Sequence, residues 1–206
     1  MQTISYVLVT GGLAYLNEAQ VCALLVASLA HDVDHPGVNN DFLKNAETEL
    51  ALRYNDISPL ENHHCATLFE IISYPKCDVL RAYTAERKEL RKMIIDAIIA
   101  TDNAHHFELL KELDTFCAGD DVAPAAWKIV PLSEKQIVVN AMLHLSDICN
   151  PAYPFEASKK WSDLVLEEFF RQGDKEKQVS KGALCGTKRG REGGRREEVE
   201  GATKEA

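Results

Sequence analysis

Residues 31–37 read HDVDHPG, and they directly follow the apolar segment EAQVCALLVASLA at positions 18–30. Asn17 and Glu18 are typical of a cap and a first turn, so the segment predicts a helix over Glu18–Ala30. That helix would be apolar nearly all round, which places it in the core of the protein. An unpaired imidazole or carboxylate at the end of a core helix is costly, and a bound divalent cation would relieve that cost. A histidine beside carboxylates suits zinc or another divalent transition ion.

A plain loop is the alternative for the same residues, with Asp32, Asp34 and His35 capping and solvating a turn. Two further clusters argue against it. The sequence LENHH at 60–64 adds two histidines and a carboxylate, and the pattern His-x-x-Asp-x-x-Asn-Pro at 144–151 ends another apolar helix with an acid. Three such clusters in one chain favour a shared metal site over three unrelated loops.

The remaining periodicity is helical wherever it is legible, so the fold class is predicted to be all-α. Apolar residues at helical spacing form one stripe between positions 90 and 98: Leu90, Met93, Ile94, Ala97 and Ile98. Two capping boxes are predicted, at Ser58–Glu61 and at Ser133–Gln136. The expected helices cover 4–10, 18–30, 41–44, 47–54, 59–73, 85–100, 104–116, 133–147 and 157–172.

Composition restricts the class of protein further. The chain has 206 residues, 46% of them hydrophobic, and a net charge of −9, which fits one globular domain and argues against a nucleic-acid partner. Six cysteines without a Cys-x-x-Cys pair predict a reducing compartment, and we expect a cytoplasmic protein. The longest apolar run, 21–30, is too short to span a bilayer. Residues 178–206 are rich in Gly, Glu, Lys and Arg, and we expect a disordered tail there.

The order and spacing of these motifs resemble the class I cyclic nucleotide phosphodiesterases over almost all of residues 1–177. The match is specific because several motifs separated by long gaps agree at once. The matching positions are 31–37, Asn40, Phe42, 60–64, Thr101–Asp102, 144–151, Trp161 and 168–174.

The resemblance implies an all-helical, HD-like catalytic domain with two divalent cations, zinc and magnesium (or manganese), that hydrolyses cAMP and/or cGMP to the 5′-nucleotide. It implies that His31, Asp32 and Asp147 ligate the tighter metal and that Asp32 bridges to the second. Water on the metals would be held by His35, Glu61, His64 and Thr101. Substrate would contact Asp32, Asp147, Asn150 and Phe169.

Some of these residues have a second interpretation. Glu61 is equally well explained as a member of the Ser58 capping box. His63 and His64 cannot both face one pocket, because adjacent helical positions diverge by roughly 100°, and the family pattern favours His64. Trp161 and Phe169 are ordinary core aromatics when the resemblance is set aside. His105 and His106 are assigned to the surface.

The chain departs from the family pattern at both ends. The family's general-acid histidine belongs to a His-Asn-x-x-His element expected upstream of Met1, so no catalytic residue is assigned here. The purine-binding glutamine and phenylalanine are expected beyond 172–174 and are not found there. We therefore expect a partial catalytic domain over 1–177, with little turnover alone. Two alternatives stay open, namely another HD-type metal-dependent phosphohydrolase and a non-catalytic metal-binding helical protein.

Overall fold

The computed structural model describes residues 2–117 and 132–189, with side chains described for 2–116 and 135–179. Within these ranges the regular structure is helical and contains no strand, which confirms the predicted fold class. The helices are α1 (Gln2–Val9), α2 (Glu18–Ala30), α3 (Asn40–Asn45), α4 (Glu49–Arg53), α5 (Pro59–Ser73), α6 (Arg87–Ile99), α7 (His106–Cys117), α8 (Leu132–Asp147) and α9 (Phe155–Arg189). Short 3₁₀ turns occupy Gly12–Ala14, Asn103–His105 and Asn150–Ala152.

Helix α2 begins and ends where the sequence predicts. The side chain of Asn17 accepts a hydrogen bond from the backbone N–H of Gln20 at 2.9 Å, and the Gln20 side chain accepts one from the N–H of Asn17 at 3.0 Å. This reciprocal pair satisfies two backbone donors that a helix start otherwise leaves open. His31 forms the C-terminal cap, so the first histidine of the HDVDHPG segment lies at the end of a buried helix.

Helix α6 is the centre of the core and packs against α2, α5 and α8. Every residue of the predicted apolar stripe on α6 is at most 2% exposed. Leu24 of α2 and Val139 and Leu143 of α8 belong to the same buried cluster. Because α2 and α8 pack on the same central helix, their C-terminal ends are held in fixed relation to each other.

A smaller apolar cluster packs α3 and α4 against the start of α5. It is formed by Val38, Leu43, Ala51 and Leu60. The side-chain oxygen of Asn40 accepts a hydrogen bond from the backbone N–H of Leu60 at 3.0 Å. Since residue 38 lies directly after the HDVDHPG segment, this cluster fixes the outgoing end of that segment.

The predicted capping box at the start of α5 is wrong. Ser58 adopts a left-handed conformation (φ +40°, ψ +57°) and its side chain forms no cap. The hydroxyl instead donates a hydrogen bond to Asp102 Oδ2 at 2.8 Å, so a contact distant in sequence takes the place of the local one. Glu61 is thereby released from a capping role. The second predicted box, at Ser133, lies outside the described side chains.

Helix α9 is longer than predicted, since it continues beyond Gln172 to Arg189. The helix therefore enters the segment 178–206, whose expected disorder stays a prediction, and 190–206 lie outside the described residues. Side chains spaced by one helical turn support the extension, such as Lys177 with Asp174 at 2.8 Å. Trp161 and Phe169 are 60% and 56% exposed, so neither is a core aromatic.

None of the helices in the described ranges combines the length and the apolar run that a bilayer crossing requires. The described cysteines, Cys22, Cys65, Cys77 and Cys149, are free thiols.

Candidate metal centre

Three ligand atoms converge at the ends of α2 and α8. His31 Nε2 lies 3.1 Å from Asp147 Oδ1 and 3.4 Å from Asp32 Oδ2. One nitrogen or oxygen from each of the three residues falls within 4.8 Å of the others. His31 and Asp147 are 116 positions apart in the sequence, so their meeting is a property of the fold.

The hydrogen bond of the second ring nitrogen of His31 fixes the orientation of its Nε2 lone pair. Nδ1 lies 3.1 Å from the carbonyl oxygen of Ser28. A carbonyl can only accept a hydrogen bond, so Nδ1 carries the proton in the neutral ring and the Nε2 lone pair faces Asp32 and Asp147. A lone pair facing two carboxylates is repelled unless a proton or a cation lies between them. One imidazole and two carboxylates therefore fit a divalent cation.

The electrostatics of His31 agree with this geometry. Burial lowers the pKa of His31, but the hydrogen bond to Asp147 and the negative charges of Asp32 and Asp147 outweigh burial and leave the pKa raised. The carboxylates thus attract positive charge to Nε2. The same field that holds a proton there would attract a metal cation.

His64 faces this centre and His63 does not, in agreement with the helical spacing. His64 is 1% exposed; its Nδ1 lies 2.7 Å from the carbonyl oxygen of Val33, and its Nε2 lies 3.9 Å from Asp32 Oδ1. Burial lowers the pKa of His64, so a neutral ring with Nδ1–H on the carbonyl is favoured. His63 Nε2 instead pairs with Asp34 Oδ2 at 2.8 Å.

Glu61 is buried beside the centre and is only 9% exposed. Its Oε2 accepts a hydrogen bond from Asn40 Nδ2 at 2.9 Å. Burial raises the pKa of Glu61 even though the hydrogen bond from Asn40 acts in the opposite direction. A buried carboxyl that holds its proton more tightly is a common feature of functional sites.

An open pocket of about 540 Å³ lies over these residues. Most of the predicted site residues line it, namely Asp32, His35, Glu61, Thr101, Asp147 and Phe169. Thr101 is 9% exposed, and its hydroxyl donates to the carbonyl oxygen of Ile98 at 2.7 Å. His35 Nδ1 accepts a hydrogen bond from the N–H of Gly37 at 3.1 Å, and its ring stacks on that of His64.

Three predicted site residues, His31, His64 and Asn150, are not part of the pocket lining. His31 and His64 still contact Asp32, which lines the pocket, whereas Asn150 makes its contacts elsewhere. Its Nδ2 lies 3.3 Å from the carbonyl oxygen of Ser158 and 3.2 Å from Ser162 Oγ. The side chain therefore ties the 3₁₀ turn at 150–152 to the first turns of α9.

The structure also identifies polar residues that sequence reasoning missed. His106 Nδ1 lies 2.8 Å from His144 Nε2, and His144 is 3% exposed, so the prediction that His106 is a surface residue is wrong. Asn39 and Gln172 form a second unpredicted contact, 133 positions apart. Gln172 lies within the 168–174 motif, which indicated that this segment matters. Its partner Asn39 could not be predicted without the fold.

Comparisons with known proteins agree with this arrangement. The family model described as 3′5′-cyclic nucleotide phosphodiesterase matches residues 1–189. Mouse 3′,5′-cyclic-AMP phosphodiesterase 4C is 40% identical over 167 residues, which are 80% of this chain and 24% of the mouse protein. A probable 3′,5′-cyclic-AMP phosphodiesterase of Caenorhabditis elegans is 39% identical over 164 residues, 79% of this chain and 24% of the relative.

A solved structure extends the likeness to three dimensions. The phosphodiesterase domain of the RhoPDE fusion protein from the choanoflagellate Salpingoeca rosetta aligns with a TM-score of 0.79 and 36% identity, covering 86% of this chain and 56% of the solved chain. The chain thus spans about a quarter of those two curated relatives and just over half of the solved chain. With a family model that matches nearly its whole length, and with helices that follow those of a solved relative, the chain belongs to the 3′5′-cyclic nucleotide phosphodiesterase family.

Proposed function

We propose that this chain forms the metal-binding part of a phosphodiesterase site that hydrolyses the cyclic phosphodiester of cAMP and/or cGMP to the 5′-nucleotide. The observation that carries the proposal is the convergence of His31 Nε2 with carboxylate oxygens of Asp32 and Asp147 on the floor of an open pocket. The names of the curated relatives support cyclic AMP as a substrate.

His31, Asp32 and Asp147 would hold the tighter cation, which we propose to be zinc. Asp32 is 63% exposed at its side chain and has a second oxygen, so it can also serve a neighbouring magnesium or manganese ion. The bound cations supply Lewis-acid chemistry: they neutralise phosphate charge and make water a better nucleophile near neutral pH. The net charge of the chain, −9, disfavours an anionic substrate, and bound cations would supply local positive charge that offsets it.

The surrounding residues would hold and orient water. His64 keeps Nδ1–H on Val33, which leaves Nε2 as an acceptor on the side of Asp32. Glu61 has a raised pKa and can exchange a proton with water in the pocket. His35 and Thr101 also line the pocket and complete the set of polar groups around that water.

Phe169 would contact the nucleoside. Its side chain lines the same pocket as Asp32 and Asp147 and is 56% exposed, so it offers an apolar surface to a flat base. The contact of Asn150 with substrate stays a prediction, and it would require the amide to leave Ser158 and Ser162.

The reaction balances without a further reagent. The water oxygen forms a bond to phosphorus and the bond from phosphorus to the 3′ oxygen breaks. One proton of the water ends on the 3′ oxygen, and the other stays on the new phosphate oxygen or passes to solvent. The phosphate stays on the 5′ oxygen. The product is therefore a 5′-monophosphate with a free 3′ hydroxyl.

The first test is binding of cAMP and cGMP to the whole chain with and without zinc and magnesium. We expect binding that depends on the cations, because the acidic pocket repels the phosphate in their absence. D147N should abolish that dependence, whereas D163N, which changes an exposed carboxylate on α9, should leave it intact. Cyclic nucleotide binding that is equal with and without cations would contradict the proposal.

The second test identifies the product by chromatography after long incubation, because the sequence predicts slow turnover. Any nucleotide that the wild-type chain forms above the D147N background should be the 5′-monophosphate. Release of a 3′-monophosphate would contradict the proposed reaction.

We also propose a cytoplasmic location, and the free thiols of the described cysteines support it. Its test is microscopy of the tagged chain.

A further inference from the structure

Helix α9 touches the rest of the protein mainly through polar groups. Of its described side chains, 155–179, Gln172 is the one that is buried, at 9% exposure. Large apolar side chains on the same helix stay exposed, including Phe155 at 74%, Leu164 at 57% and Phe170 at 72%. Apolar burial therefore contributes little to the position of α9.

Gln172 forms a reciprocal pair with Asn39. Its Oε1 accepts a hydrogen bond from the backbone N–H of Asn39 at 2.9 Å, and its Nε2 donates to Asn39 Oδ1 at 3.0 Å. Nε2 also donates to Glu176 Oε1 at 2.9 Å, one turn further along α9. Only a side chain that both accepts and donates can complete this arrangement, which makes it specific for an amide.

Asn39 connects the pair to the buried part of the site. Its Oδ1 also accepts from the N–H of Phe42 at 2.9 Å and so caps α3. The next residue, Asn40, bonds the side chain of Glu61 and the backbone of Leu60. A continuous set of amide contacts therefore runs from α9 to the floor of the pocket.

We propose that Gln172 is a positioning residue, which through its paired hydrogen bonds to Asn39 holds α9 so that Phe169 forms a wall of the pocket. Phe169 lies three positions before Gln172, on the same face of the helix. Glu168 lies on that side as well, since its Oε2 is 3.9 Å from the position that a Cβ on Gly37 would take. The role in nucleotide binding rests on the function proposed above, whereas the docking of α9 does not.

Q172E tests the pair in the full chain, with Q178E as a matched control, because Gln178 is exposed on the same helix. At pH 7.5 the new carboxylate can accept from the Asn39 N–H but cannot donate to Asn39 Oδ1, and it faces Glu176. Repulsion of the carboxylate by Asn39 Oδ1 and Glu176 should open the pair. Amide hydrogen exchange of Asn39 should then become about tenfold faster than in wild type, the scale of losing hydrogen bonds of ordinary net strength. Q178E should leave the exchange unchanged.

Protonation should reverse the effect. A neutral carboxyl at position 172 accepts with one oxygen and donates with the other, as the amide does. Glu176 contacts it directly, and Asp41, Lys44 and Glu168 line the neighbouring pocket, so three carboxylates and one ammonium set the pH at which it protonates. After correction for the intrinsic exchange rate, Asn39 in Q172E should regain protection at pH 5. Failure to regain it would overturn the reciprocal pairing.

Nucleotide binding tests the consequence for the pocket. With zinc and magnesium present, Q172E should weaken cAMP binding about tenfold at pH 7.5. In the F169A background the same substitution should add no further loss, because Gln172 acts through Phe169. Equal additional losses in both backgrounds would overturn the positioning role. If Asn39 loses protection but the wild-type chain binds no cyclic nucleotide, the docking pair stands and the proposed function fails.

Discussion

The contact between the half-buried His106 and the buried His144 gives a prediction that the sequence alone does not offer. The two ring nitrogens are 2.8 Å apart, His144 is 3% exposed, and its Nδ1 has no hydrogen-bond partner among the described atoms. His144 therefore depends on His106 for its one hydrogen bond. It lies one turn before Asp147 on α8, so the pair also secures the end of the helix that carries a proposed metal ligand.

H106F should destabilise the protein by about 1–3 kcal/mol, because it retains a ring but leaves a buried imidazole nitrogen unsatisfied. H105F is the matched control, since the side chain of His105 is 43% exposed and its loss should change stability by less than about 0.5 kcal/mol. Urea unfolding at pH 7.5 measures both variants. Equal stabilities of H105F and H106F would show that His144 does not depend on the hydrogen bond from His106.

The pair also predicts the direction of a pH effect. Burial and the neighbouring His106 lower the pKa of His144, while the charge of Asp147 acts in the opposite direction. Below pH 6.5 the unfolded chain therefore binds a proton at His144 that the folded chain does not. The contribution of His144 to stability is complete above pH 6.5 and is lost as pH falls, by at most about 1.4 kcal/mol per pH unit. The difference in unfolding free energy between wild type and H144L should therefore decrease as the pH falls below 6.5. A difference that does not change with pH would contradict the lowered pKa of His144.

Three further predictions follow from burial and backbone geometry. M93A removes a fully buried core side chain and should lower the free energy of unfolding, measured in urea, by about 2–5 kcal/mol. A decrease below about 1 kcal/mol would show that α6 is not the centre of the core. Burial raises the pKa of Glu61, so the charged carboxylate destabilises the folded state above pH 4.5. E61Q should therefore raise the melting temperature at pH 7.5 but not near pH 4. A lower melting temperature at pH 7.5 would contradict this prediction. Gly37 has φ +69° with room for a methyl group, so G37A should cost about 1–2 kcal/mol through backbone strain alone, and an unchanged melting temperature would rule that strain out.

Local sequence patterns predicted the helices well where the helix depends on side-chain spacing or on capping by nearby residues. The apolar stripe of α6 depends on helical spacing alone, and all of it is buried. The ends of α2 follow from Asn17 and from the polar residues that begin at His31. The capping box at Ser58 failed because a hydroxyl that could bond locally bonds Asp102 instead, and sequence spacing cannot compare a local partner with a distant one.

Some features of the candidate site could likewise be predicted from the sequence, and others could not. The types and order of His31, Asp32 and Asp147 indicated a metal centre, and the fold brings them within 4.8 Å. The contacts of Gln172 with Asn39 and of His106 with His144 could not be predicted, because each joins residues far apart through one specific geometry. The length of α9 was missed because a polar, charged segment suits a disordered tail and an exposed helix equally.

Calorimetric titration of the whole chain with zinc measures whether His31, Asp32 and Asp147 bind one metal ion together. Wild type and the surface control D163N should bind the ion alike. D147N should bind at least about tenfold more weakly, because one of three protein ligands has lost its charge. Equal zinc affinity in wild type and D147N would show that the ends of α2 and α8 do not share a metal ion, and the account of the site would be wrong.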